Sequence, residues 1–182
     1  MSTDDEPLIF GALSLQFLIG KLENAAELER ICGHAVFVHA SGGVRRPRPL
    51  EVTQGFWRRD IAERAPVDTI TGTNRIFIAP IRKKTAASPV ITVGRAPSND
   101  IIVADVTLSK LHAFIRETPA GFVLEDAGSK NGTLVDNVPV AVRGNGPAAP
   151  LKPSSTVRFG SVSLTFLPIA ALSAFLRAAP VA

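Results

Sequence analysis

Cysteine is almost missing from this sequence: Cys32 is the only one in 182 residues. That excludes a disulfide within the chain and agrees with a reducing compartment. Long hydrophobic runs are missing too. The apolar run from Leu8 to Ile19 falls short of the ~20 residues that a helix needs to cross a bilayer. The first residues carry Asp4, Asp5 and Glu6 where a secretory leader would carry positive charge, so the reading expects no leader and a cytoplasmic protein. Internal repeats, low-complexity tracts and the known nucleophile signatures are also absent.

What is present is a moderately apolar, basic chain. Hydrophobic residues make up 46%, enough for a packed core, and the formal net charge is +4 with a pI near 9.7. The length allows one domain with an appendage or two small domains. The positive charge gathers in the middle, at Arg45, Arg46, Arg48, Arg58, Arg59, Arg64, Arg75, Arg82, Lys83 and Lys84. Aromatic residues do not interleave with these arginines as stacking platforms for bases would require, which argues against nucleic acid. The excess is read as a solvated face or as a field attractive to a phosphorylated partner.

Apolar residues at Leu15, Leu18, Leu22, Ala25, Leu28 and Cys32 recur every three or four positions. The spacing predicts an amphipathic helix over about 14–32, started by Ser14 and ended by Gly33, whose stripe needs a partner surface. Ala35 to His39 reads as a strand, and the proline-rich Arg45 to Pro49 excludes regular structure. Gln54 to Arg64 suits a short helix. A polar, threonine-rich connection, Asp68 to Asn74, is taken as the domain boundary. This divides the chain into an N-terminal helical or mixed extension with a basic linker (1–72), a β domain (73–168) and a C-terminal helix and tail (169–182).

Within 73–168, short apolar alternating runs are separated by turn residues: Arg75 to Arg82, Val90 to Val93, Asp100 to Val103, Ala113 to Glu117, Phe122 to Glu125, Thr133 to Val135, Val138 to Val142, Thr156 to Phe159 and Val162 to Leu167. Pro80 marks an edge or a bulge in the first of these, and Gly144 to Pro150 reads as a loop. Many short strands joined by turns predict a mainly β protein, a sandwich of short, mostly antiparallel strands. A terminal helix follows at Ile169 to Arg177.

Three clusters stand beside these strands: Gly94-Arg95, Ser109-Lys110-x-His112 and Ser129-Lys130-Asn131-Gly132-Thr133. They supply a guanidinium, two ammonium groups, hydroxyls and a carboxamide, with no carboxylate inside a cluster. That set fits a phosphate better than a catalytic reaction. A planar guanidinium such as that of Arg95 grips two phosphate oxygens at once, and Ser109 offers a hydroxyl donor. The ammonium of Lys110 either reaches the phosphate or stays in solvent. Asp126 and Ser129 suit loop stabilisation through bonds to nearby backbone amides. Gly132 allows a left-handed turn or a close approach, and Thr133 ties the loop internally.

In order and spacing, G-R at Gly94 and Arg95, S-x-x-H at Ser109 and His112, and D-x-x-S-x-N-G-T from Asp126 to Thr133 resemble the forkhead-associated (FHA) domain. The resemblance covers residues 75–168, about half of the chain. It implies a β-sandwich that binds phosphothreonine peptides, with Arg95 as main phosphate contact, Lys130 as a further one and Asn131 on the peptide backbone. It gives His112 a structural role, holding the binding loop by hydrogen bonds, and makes Gly94 part of the motif. The implied function is a signalling adaptor in Ser/Thr kinase pathways, without catalysis, cofactor or metal. The implied partner is a threonine-phosphorylated protein, either a kinase or a kinase substrate. Two other readings stand beside it. Cys32, His34 and His39 lie close enough in sequence for a metal site or a nucleophile–base pair, although no fourth ligand stands at a suitable spacing. Alternatively, the same fold serves as a scaffold that ignores phosphate and dimerises or docks a partner through its helices.

Overall fold

The computed structural model describes residues 8–10, 13–21, 24–41, 75–85 and 88–178. The helix expected at Gln54 to Arg64 and the connection Asp68 to Asn74 lie outside these residues. The strands are β1 (Leu8–Phe10), β2 (Leu13–Ser14), β3 (Ala35–Ser41), β4 (Arg75–Pro80), β5 (Ile91–Gly94), β6 (Ile101–Ala104) and β7 (Ala113–Thr118). They continue with β8 (Gly121–Asp126), β9 (Thr133–Val135), β10 (Val138–Pro139), β11 (Ala149–Leu151), β12 (Thr156–Phe159) and β13 (Val162–Pro168). The helices are α1 (Leu15–Ile19), α2 (Ala25–Cys32) and α3 (Ile169–Ala178).

The strands form two facing sheets, ordered β1-β6-β5-β7-β8-β11 and β10-β9-β12-β13-β3-β4-β2. All pairings among the described strands are antiparallel except β5 with β6. This is the mainly β sandwich that the strand spacing predicts. Between the sheets lies a core containing Phe37, Ile91, Val93, Ile115, Leu124, Phe159 and Phe166. Phe37 meets Phe159 and Phe166 edge-on, at 5.9 and 6.3 Å between centroids, a favoured aromatic geometry.

A second apolar cluster lies on the outer face of the β3–β4–β13 region. It joins Leu18 of α1, Leu28 and Cys32 of α2, and Leu172 and Leu176 of α3 to Val36, Val38, Ile78 and Leu167. Three residues of the predicted stripe, Leu18, Leu28 and Cys32, thus find their partner within the chain. Alternate residues of β3 serve the two clusters: Ala35 and Phe37 face the sandwich, Val36 and Val38 face the helices. A strand covered on both faces needs a continuous apolar run, and Ala35-Val36-Phe37-Val38 supplies one.

Several expectations change. The single helix over 14–32 is two, because Gly20 and Lys21 form a turn and Asn24 starts a new helix, accepting Glu27 N–H on its side chain at 3.0 Å. Glycine weakens a helix interior and asparagine favours an N-cap. Gly33 ends α2 as expected, with φ of 72°. The boundary at residue 72 does not follow the strand pairing: β3 lies between β13 and β4 and β1 pairs with β6, so strands from before residue 72 are built into the sandwich. Gly144 to Pro150 is not wholly a loop, since β11 pairs with β8. The run Val138 to Val142 leaves its sheet after Pro139, and Asp126 N–H and C=O then bond Ala141 and Arg143 in the other sheet. Pro80 is tolerated for a simple reason. Ile81 N–H donates to Ala35 C=O at 2.9 Å, so residue 80 points the other way, where β2 reaches only Ile78 and Phe77.

Candidate functional site

The three clusters sit at one end of the sandwich. Arg95 follows β5, residues 105–112 join β6 to β7, and residues 127–132 join β8 to β9. Parallel β5 and β6 end together there, antiparallel β7 begins there and β8 ends there. Main-chain and side-chain bonds then lock the loops to one another. Arg95 N–H donates to Ser109 C=O at 3.0 Å and Ala96 N–H to Lys110 C=O at 3.1 Å. Lys130 N–H donates to the Ser109 hydroxyl oxygen at 3.0 Å. Asn131 Nδ2 donates to Thr107 C=O at 2.7 Å.

These bonds decide which atoms are left for a ligand. The Ser109 hydroxyl oxygen is engaged as an acceptor, and no described acceptor takes its proton. Lys110, Lys130 and Asn131 are exposed, and no described donor reaches Asn131 Oδ1. Arg95 is half-buried and forms no ion pair with a described residue, and its Nε is buried with no hydrogen-bond partner. Buried polar groups are nearly always paired, so the Arg95 Nε–H, buried without an acceptor on a loop bonded to the one that carries Ser109 and Lys110, is a donor left available to an anion.

His112 and Asp126 build the floor. His112 is fully buried. Its Nδ1 accepts Ser109 N–H at 3.0 Å, which leaves the proton on Nε2 to donate to Gly132 C=O at 3.1 Å. One ring therefore joins two of the binding loops, and it rests edge-on against Phe159. Both ring nitrogens are committed to this structural task. Burial lowers the pKa of His112 below 6.5, against the opposing pull of the Gly132 bond and the Asp126 charge. The unfolded chain thus binds the proton more readily than the folded one. This contribution to stability is complete above about pH 6.5 and is lost as pH falls towards the lower folded value. An NMR titration is expected to show His112 neutral and protonated at Nε2 at pH 6.5; an imidazolium at that pH would contradict the assigned bonding.

Asp126 is buried and accepts four bonds: Gly128 N–H and Ser129 N–H on Oδ1, the Ser129 and Thr133 hydroxyls on Oδ2, at 2.5–2.7 Å. Burial alone would raise its pKa, but these bonds, led by Thr133, hold it below the ordinary carboxylate range. Ser129 and Thr133 thus act through Asp126 to shape the loop. Gly132, with φ of 74°, occupies the left-handed region, and a Cβ there would meet nothing within 4 Å; backbone conformation, not crowding, is what favours glycine. Gly94 has the opposite reason. A Cβ on it would lie 2.4 Å from Lys110 C=O and 2.9 Å from Asn99 Nδ2, so any side chain would push the Arg95 and Ser109 loops apart.

Residues that the sequence reading passes over complete the site. Asn99 is buried and donates from Nδ2 to Ala96 C=O at 2.8 Å and Lys110 C=O at 2.6 Å. Thr107 holds Asn131 through its carbonyl, while its hydroxyl donates to buried Asp105 at 2.5 Å and its oxygen accepts Ser161 N–H at 3.1 Å. The D-x-T spacing of Asp105 and Thr107 is a local turn signal; Asn99 shows in the sequence only as a polar residue before a strand. Cys32, His34 and His39 do not gather. Cys32 is buried, its thiol pushed up to about 11 by burial. His34 Nδ1 bonds Glu117 at 2.5 Å, and His39 Nδ1 bonds Ser163 C=O at 3.1 Å. Among the described residues no group of three or more His, Cys, Asp or Glu is placed to hold a metal.

Residues 91–160 match the family model for the FHA domain. The chain is 45% identical over 51 residues to the oxoglutarate dehydrogenase inhibitor of Corynebacterium diphtheriae, covering 28% of this chain and 36% of that protein. It is 40% identical over 81 residues to the glycogen accumulation regulator GarA of Mycolicibacterium smegmatis, covering 43% of this chain and 46% of that one. The chain thus spans less than half the length of either curated relative. Among solved structures it is similar to the second FHA domain of a Mycobacterium tuberculosis ABC transporter. The identity there is 33%, the TM-score 0.37, and the match covers 47% of this chain and 75% of that one.

Proposed function

We propose that this chain, which carries a forkhead-associated domain over residues 91–160, is a cytoplasmic adaptor that binds threonine-phosphorylated proteins in Ser/Thr kinase signalling and performs no catalysis. The observation that carries this reading is the buried Nε of Arg95, unpartnered where three loops meet. A phosphothreonine brings nearly two negative charges and several acceptor oxygens. Arg95 grips two of those oxygens, Ser109 donates its hydroxyl proton to a third, and Lys110 and Lys130 add charge from the rim. Asn131, fixed through Nδ2, turns Oδ1 to a backbone N–H of the bound peptide. Gly94, His112, Asp126, Ser129, Gly132 and Thr133 hold the loops in place before the ligand arrives, which lowers the ordering cost of binding.

The names of the curated relatives, a regulator and an enzyme inhibitor, support a binding role over a catalytic one. Among the described residues no helix is long and apolar enough to cross a membrane, in keeping with the compartment in which kinases act. The helical stripe offered by the scaffold reading is already covered, as Leu18, Leu28, Cys32, Leu172 and Leu176 are buried within the chain. An oriented phosphothreonine peptide library, followed by calorimetry on the selected sequences, tests the proposal. Selected peptides are expected to bind and their unphosphorylated counterparts to show no heat of binding. A library without enrichment, or affinity unchanged by removing the phosphate, overturns it.

A further inference from the structure

The guanidinium of Arg95 has no ion-pair partner among the described residues and its Nε no hydrogen bond. What aims it is therefore the backbone of the loop it stands on, residues 95–100. That loop is fastened on one side by Arg95 N–H and Ala96 N–H to the carbonyls of Ser109 and Lys110, and by the Asn99 side chain across Ala96 and Lys110. On its other side stands Lys84, in the stretch between β4 and β5. Its ammonium donates to Pro97 C=O at 3.1 Å and to Asn99 C=O. Its backbone N–H donates to Asp100 Oδ1 at 2.7 Å, and Asp100 Oδ2 in turn accepts Thr92 N–H at 2.8 Å and the Thr92 hydroxyl at 2.9 Å. Lys84 thus bridges two carbonyls of the Arg95 loop to the base of β5. Residue 84 precedes the segment matched by the family model.

We propose that Lys84 is a positioning residue for phosphate recognition: its ammonium, clamped on the carbonyls of Pro97 and Asn99, fixes the loop that aims Arg95. The proposal rests on the phosphothreonine reading above. Lys84 does not touch the phosphate; it acts through Asn99, whose carbonyl it holds while the same residue's amide holds Lys110. Lys84 as a residue is exposed; the partial burial of its ammonium lowers its pKa, against the raising effect of Asp100. The Asp100 bond to the Lys84 backbone survives any change of side chain, so a substitution releases the ammonium clamp alone.

The test compares Lys84→Met with Lys84→Arg in the full chain. Methionine keeps the length of the stem and removes the donors; arginine keeps donors for both carbonyls. Lys84→Met is expected to weaken binding of a selected phosphothreonine peptide roughly three- to thirtyfold, less than the full worth of the bonds from a charged donor because the loop keeps its other ties and the lost bonds act on the ligand only through Arg95, with Lys84→Arg restoring most of it. Amide exchange at Ala96 and Asn99, read by NMR in the peptide-free protein, is expected to quicken in the methionine variant and return to the parent rate in the arginine variant. If exchange at Ala96 and Asn99 is unchanged in Lys84→Met, or the peptide binds it as tightly as the parent, the positioning role is wrong. If no phosphopeptide binds even the parent, the phosphothreonine reading falls, and the role of Lys84 in recognition falls with it whatever the exchange rates show.

Discussion

Arg95→Ala is expected to reduce phosphothreonine-peptide binding by two to four powers of ten while the chain stays folded. The estimate follows from two charge-assisted bonds at ~1.5–3 kcal/mol each, with about 1.4 kcal/mol for every tenfold change in affinity. The fold survives because the side chain supports little of it. Arg95 makes no ion pair with a described residue and its Nε has no partner. The bond that ties this position to Ser109 uses the backbone N–H, which alanine keeps. Removing a buried, unpaired donor also removes a desolvation penalty, so the melting temperature is expected to hold or rise slightly. Arg95→Lys is expected to fall between parent and alanine, because an ammonium retains the charge and loses the bidentate grip. Calorimetry on a library-selected peptide, with a thermal melt of each variant, gives both readouts. Equal affinity for parent and Arg95→Ala would remove Arg95 from the site and leave the unpartnered Nε without a role.

The part of the site that was legible in sequence is the part built from local chemistry. Gly94, His112, Asp126 and Gly132 each stand where a backbone or ring requirement admits few residue types; for Asp126 and Gly132 the requirement acts within a few residues of chain, whereas Gly94 and His112 answer to Lys110 and Gly132 across the fold and were legible only through the motif they belong to. The turn at Gly132 needs a left-handed φ, and Asp126 bonds residues two, three and seven positions on. Contacts made across the fold left no such trace. Lys84 reads as one basic residue among many in a loop, and only the folded chain brings it against Pro97 and Asn99. Asn131 could be singled out, but its Thr107 anchor, 24 positions away, could not.

The strands were legible for the same reason and their neighbours were not. Alternation and turn residues located β7, β8, β9, β12 and β13 within a residue or so. Nothing in the run Ala35 to His39 states that its partners are Arg75–Pro80 on one side and Val162–Pro168 on the other. Its unbroken apolar character was the available signal, since a strand with one wet face would alternate. The boundary drawn at 72 followed a change in composition, which marks where polar chain begins and not where hydrogen bonding ends.

A chain that starts at residue 73 is accordingly expected not to fold. It would lose β3, the strand that joins β13 to β4, leaving two open edges in the centre of a sheet. It would also lose Leu18, Leu28, Val36, Phe37 and Val38, all buried. At ~1.5–3 kcal/mol for each large apolar side chain, these five represent roughly 8–15 kcal/mol. Whole domains have a net stability of about 5–15 kcal/mol. The outer surface of β13, with Leu167 and the α3 residues Leu172 and Leu176, would face water as well. The expected result is a product that is insoluble, or that shows collapsed amide dispersion by NMR and binds no phosphopeptide even though every residue of the three binding clusters is present. A 73–182 fragment that gave a dispersed spectrum and bound peptide like the full chain would show that β3 is an accessory, and would return the domain boundary to where composition alone had put it.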